Sequence, residues 1–170
     1  NRRLIELQQE FARQLLTHSN PYTRAEYRHE PAVATIELVN ENSLLEAWVS
    51  GRLVGQTVTN PHTWSPLPTS YAEELTALYN DWLRSRVPPS ELARLREEAG
   101  VGPEAPLPRL RPQEFANAST NRFRTEARFY LETELAFFRE MRRFLKEELG
   151  VRPPIVGTAD HNDRYAAYAH

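Results

Sequence analysis

The stretch that most constrains what this chain can become is AVATIELVNENSLL, residues 32–45, where a short apolar run ends abruptly in polar groups. Val33, Thr35, Ile36, Leu38 and Val39 are strand formers, and the run is too short and too β-branched to prefer a helix. Alternation sorts its side chains: Ala34, Ile36 and Leu38 share one face, while Thr35, Glu37 and, beyond Val39, Glu41 share the other. A strand carrying carboxylates on one face needs a polar interior on that side. A (β/α)8 barrel supplies one, because helices cover its strands and residues at the strands' C-terminal ends form the active site. The expected fold class is therefore α/β, a partial (β/α)8 TIM barrel with long helices and an elaborated loop after the Glu41 strand.

Length sets the scale of that expectation. A chain of 170 residues, 40% of them hydrophobic, can bury one ordinary core. A complete barrel takes roughly 250 residues, so residues 1–170 read as a single central segment of a barrel domain, incomplete at both ends. The formal net charge is −2, with 21 basic and 23 acidic side chains interspersed, which leaves no electrostatic footprint for nucleic acid or an anionic membrane. A neutral substrate fits better. The absence of cysteine excludes disulfides and cysteine-based zinc sites. No signal peptide or membrane span is visible, and the compartment stays open.

Periodicity organises the rest. Leu4, Ile5, Leu7, Phe11, Ala12, Leu15 and Leu16 predict an amphipathic helix that stops near Asn20-Pro21. The segment after Leu45 carries Trp48 and Trp64 among many turn formers, and reads as a loop on the catalytic face. Ser70 and Glu73 have capping-box spacing ahead of a helix faced by Tyr71, Leu75, Leu78, Tyr79, Trp82 and Leu83. A shorter helix follows Pro88-Pro89 and closes at Gly100. Residues 101–112, with four prolines, read as an extended surface connection. The longest helix covers residues 121–149, and residues 153–158, PPIVGT, resume a strand. Strand, helix, strand in that order implies a parallel crossover.

At Asn40-Glu41 the phrase ELVNENSL resembles the end of the fourth barrel strand in the clan A glycoside hydrolases, the retaining group that includes cellulases, mannanases and β-galactosidases. The resemblance implies that Glu41 is the general acid/base and that Asn40 contacts the sugar at the −1 subsite. It implies a β-linked neutral oligo- or polysaccharide as partner, hydrolysis with retention, no cofactor, and a secreted or periplasmic setting. A retaining mechanism also needs a second carboxylate roughly 5 Å away, which in that family ends the seventh strand and would lie beyond His170.

Four more residues join the candidate site. Trp48 and Trp64 either stack on a pyranose or close small satellite cores under the loop. Asp160 and His161 fall where the resemblance places substrate subsites, and the alternative for the DHND stretch is a solvated turn. Neighbouring residues such as His161, Asp160 and Asp163 seldom complete a metal ligand set by themselves, so no metal is expected. Two rival functions stand beside glycoside hydrolysis: a non-catalytic carbohydrate-binding or scaffold protein that keeps the barrel segment, and a helical interaction protein in which the strands are minor.

Overall fold

The computed structural model describes residues 1–55 and 67–158. Helices make up most of this: α1 (Arg2–Leu16), α2 (Leu44–Val49), α3 (Thr69–Arg86), α4 (Pro89–Glu98) and α5 (Thr120–Arg143), the last running on into one π turn, Phe144–Glu148. Two strands of two residues each, β1 (Ile36–Glu37) and β2 (Ile155–Val156), pair in parallel with Ile36 opposite Ile155. The partial (β/α)8 barrel is thereby corrected to a mostly helical fold with, among the described residues, a single parallel strand pair. Burial explains why the apolar run does not extend further. Parallel barrel strands are covered on both faces, whereas Ala32, Ala34, Thr35 and Glu37 are all exposed. The chain bends from Leu38 onward, and Glu41 adopts φ +43°, a left-handed conformation that ends any extension. The loop expected after Leu45 is also partly helical, since α2 and a 3-10 turn at Arg52–Val54 occupy it.

The chain divides into two compact units, residues 1–43 with 133–170, and residues 44–132. In the first, Ala12 and Leu16 of α1 pack with Phe144, Leu145, Leu149, Val151, Ile36 and Ile155. The end of the π turn is closed by side chains that bond orphan carbonyls. Lys146 Nζ donates to the carbonyls of Val151 (3.0 Å), Arg152 (3.2 Å) and Pro153 (2.7 Å), and Arg28 Nη1 donates to that of Leu149 (2.6 Å). Gly150, at φ +65°, makes the turn that a side chain would resist.

In the second unit Trp48, Leu53, Tyr79, Leu83, Leu95, Phe129 and Tyr130 form the core together with Leu107 and Leu110. The last two belong to the proline-rich connection. It is extended, as expected, but its central part is interior rather than on the surface, because both leucines are fully buried. An extended chain buried outside any sheet must find partners for its backbone groups. Helix side chains provide them. The Asn80 amide donates to the Leu107 carbonyl (3.0 Å) and accepts the Leu107 N–H (2.7 Å), and Trp48 Nε1–H donates to the Leu110 carbonyl (3.0 Å). The Glu126 carboxyl accepts the Leu110 N–H at 2.8 Å.

Replacing Asn80 by Ala strands two buried backbone groups of Leu107 at once. Each unpaired group costs about 1–3 kcal/mol, so Asn80→Ala is expected to lower stability by about 2–6 kcal/mol. Equilibrium urea unfolding reads this directly, and a loss below about 0.5 kcal/mol, the size of an ordinary surface change, would show that the amide is not holding the segment.

Candidate functional site

The residues proposed from sequence do not assemble into one site among the described residues. Asn40 and Glu41 are exposed where the chain leaves β1, and the neighbouring Asn42 N–H donates to Thr158 Oγ1 at 3.2 Å. Trp48, only 1% exposed, has its ring against Phe115, Phe123 and Tyr130 at centroid distances of 4.9, 4.8 and 5.1 Å. Its faces are covered, so it packs a core and offers no platform for a sugar. Trp64, Asp160 and His161 lie outside the described residues. Without the barrel, support for glycoside hydrolysis comes from the Asn40-Glu41 pair itself, and Glu41 stands at the surface rather than in an enclosed pocket. No group of three His, Cys, Asp or Glu with metal-holding geometry occurs among the described residues.

Among the described residues, an exposed apolar stripe runs instead along α1. With 100° between successive residues, Leu4, Leu7, Phe11 and Leu15 fall within an arc of about 80°. They are 51%, 41%, 64% and 46% exposed. The face that packs inward, Ala12 and Leu16, lies to one side of this arc, so α1 carries two apolar stripes and uses one for its own core. The charges around the open stripe are internally compensated. Arg2 pairs with Glu6 (3.3 Å) and Glu140 (2.5 Å), Arg3 with Glu6 (3.6 Å), and Arg13 with Glu148 (3.8 Å). Glu10 accepts from Gln14 Nε2 at 3.3 Å. Sequence periodicity had placed these apolar residues on the helix but could not say which would be covered.

A second concentration of chemistry, missed from sequence, lies inside the second unit. Arg109 is buried, and its guanidinium is fixed on neutral acceptors: Nε donates to Thr76 Oγ1 (3.0 Å), Nη1 to the Tyr130 hydroxyl (3.0 Å), and Nη2 to the carbonyls of Leu53 (2.6 Å) and Ala72 (3.1 Å). Tyr130 in turn donates to Glu126 Oε1 at 2.8 Å. A tyrosine hydroxyl thus stands between the buried cation and the buried anion. Arg122, also buried, donates from Nη2 to the Pro108 carbonyl at 3.3 Å. The available sequence signal was the i, i+4 spacing of Arg122 and Glu126 on the same stripe as Phe129 and Tyr130. Beside this network Pro108, Arg109, Arg111, Gln113 and Glu114 line a hollow of about 440 Å³.

Burial, the largest influence, pushes the Glu126 carboxyl up from an ordinary 4.5 to about 7, against the lowering effects of the Leu110 N–H, Tyr130, Arg109 and Arg122. Burial likewise pushes the Tyr79 and Tyr130 hydroxyls upward, with the Glu126 charge adding to it. A carboxyl that binds its proton more tightly when folded stabilises the fold most below about 4.5, and that contribution is lost as pH rises through about 7. Relative to Glu126→Gln, which does not titrate, the natural chain is expected to lose on the order of 2–3 kcal/mol between pH 4 and pH 8. Parallel unfolding curves of the two proteins across that range test it. A difference that stays constant, or grows in the natural chain's favour at high pH, would contradict the burial argument.

A scan against protein-family models and searches of curated proteins and of solved structures return no match to this chain.

Proposed function

We propose that this chain is a helical interaction module, in which α1 seats its open stripe in an apolar groove of another protein. The carrying observation is the exposure of Leu4, Leu7, Phe11 and Leu15 along one edge of a helix whose other apolar edge is already packed. Their spacing, i, i+3, i+7 and i+11, is that of the anchors by which an amphipathic helix lies in a hydrophobic groove.

Three features favour a protein groove over other occupants. The patch is on the order of a few hundred Å², a size that on monomeric proteins often marks an interaction site. Two copies meeting face to face on it would bury well under the roughly 1,200 Å² of the smallest standard interfaces, so a stable symmetric dimer is not supported by this stripe alone. Anionic membranes attract helices through unpaired Lys and Arg on the polar face. Here Arg2, Arg3 and Arg13 are each engaged by a glutamate.

A photoreactive amino acid at position 7 or 11, introduced in the source cell, should crosslink one identified protein, whereas the same group at position 10 on the polar flank should not. The purified partner should bind the natural chain and lose about ten-fold or more in affinity for Phe11→Ala, as expected for an aromatic anchor. Crosslinks only to further copies of this chain, crosslinks only to lipid, or equal labelling from positions 10 and 11 would each refute the groove reading.

A further inference from the structure

We propose that the hollow lined by Pro108, Arg109, Arg111, Gln113 and Glu114 binds an oxyanion, the phosphate of a phosphate ester or the carboxylate of a small acid. Its volume, about 440 Å³, is that of a small-ligand site.

The donors are arranged in two tiers. Arg109 forms the inner one. Its guanidinium is held by Thr76, Tyr130, Leu53 and Ala72, all neutral acceptors, and no carboxylate oxygen among the described residues lies within ion-pair distance of it. Its nearest compensation is Glu126, reached through the Tyr130 hydroxyl. Buried charges are normally paired, and a cation linked to its counter-charge only through a neutral hydroxyl leaves positive potential for an incoming anion. Arg122, bonded to the carbonyl of the lining residue Pro108, adds positive charge behind that wall.

Arg111 and Gln113 form the outer tier. Both are exposed, and neither the Arg111 guanidinium nor the Gln113 amide donates to an acceptor among the described residues. Their backbone is nevertheless fixed. The Arg111 N–H donates to Glu114 Oε2 and the Glu114 N–H donates to the Arg111 carbonyl, both at 2.8 Å. Pro108 and Pro112 restrict the chain on either side of Arg111. A rim already ordered loses little entropy when a ligand arrives. Glu114 is the one lining acid, and the bond from Arg111 N–H ties one of its oxygens to the loop. Arg109 keeps only one Nη1 N–H beyond its four bonds and contributes mainly its charge, so the fork that can match phosphate or carboxylate is that of Arg111, with the Gln113 carboxamide beside it and a single tied carboxylate opposing.

The test is a nuclear magnetic resonance titration of the full chain with inorganic phosphate, and separately with succinate, each against sodium chloride at equal ionic strength. Saturable shifts of the amides of residues 111–114 are expected with one or both oxyanions. Response to phosphate alone identifies a phosphate ester as the ligand class, and response to succinate identifies a carboxylate. Arg111→Gln should weaken the apparent Kd by about ten-fold or more, as loss of a charge-assisted bond implies, while leaving the melting temperature unchanged because the guanidinium bonds to no acceptor among the described residues. Gln113→Glu, which adds a repelling charge at the rim without touching Arg111, should weaken binding as well. No saturation by about 10 mM, an equal response to chloride, or affinity unchanged in both variants would overturn the proposal.

Discussion

Side-chain bonds to the backbone of residues 107–110 are what the second unit depends on. An extended segment running through a helical core has no ladder to satisfy its N–H and C=O groups, and leaving them unpaired would cost more than burying Leu107 and Leu110 contributes. Asn80, Trp48 and Glu126 resolve this by offering amide, indole and carboxyl groups at the required positions. Once those groups are committed, neighbouring choices follow. Phe115, Phe123 and Tyr130 close around the Trp48 ring, and Glu126 is confined to an interior that resists its charge.

Much of the helical layout could be read from local signals. Pro88-Pro89 separates α3 from α4, Gly100 and Gly150 both take positive φ beyond helix ends, and the apolar spacing of α1 and α5 is plain. These are short-range effects, decided within a turn or two of chain. The barrel expectation failed for the opposite reason. Alternation over residues 32–39 shows which side chains share a face, but whether a face is covered depends on segments far away in sequence. Here Ile36 finds Ile155, and little else joins the sheet. Strand-forming composition followed by Asn40-Glu41 then lent itself to a family pattern whose defining architecture is not present.

The functional surfaces show the same division. Periodicity placed Leu4, Leu7, Phe11 and Leu15 on a helix together with Ala12 and Leu16, yet the number of apolar stripes that a helix packs is a tertiary fact. Trp48 was ambiguous between sugar platform and core closure, and only the positions of Phe115 and Phe123 decide for the core. Arg109 was harder still. Nothing in LPRLRP distinguishes the arginine that turns inward from Arg111, two residues on, which stays in solvent. Simple alternation does not separate them either, since Leu107, Arg109 and Leu110 are all buried while Arg111 is exposed.

The clamped segment also inverts the usual relation between regular structure and protection. Hydrogen exchange and proteolysis ordinarily begin in stretches without helix or strand, because their amides are solvated. The amides of Leu107 and Leu110 are donated to Asn80 and Glu126 inside the core, so exposing them requires the surrounding helices to separate. In the second unit this irregular stretch is therefore bound to open with the cooperative core, later than the frayed ends of the helices that enclose it.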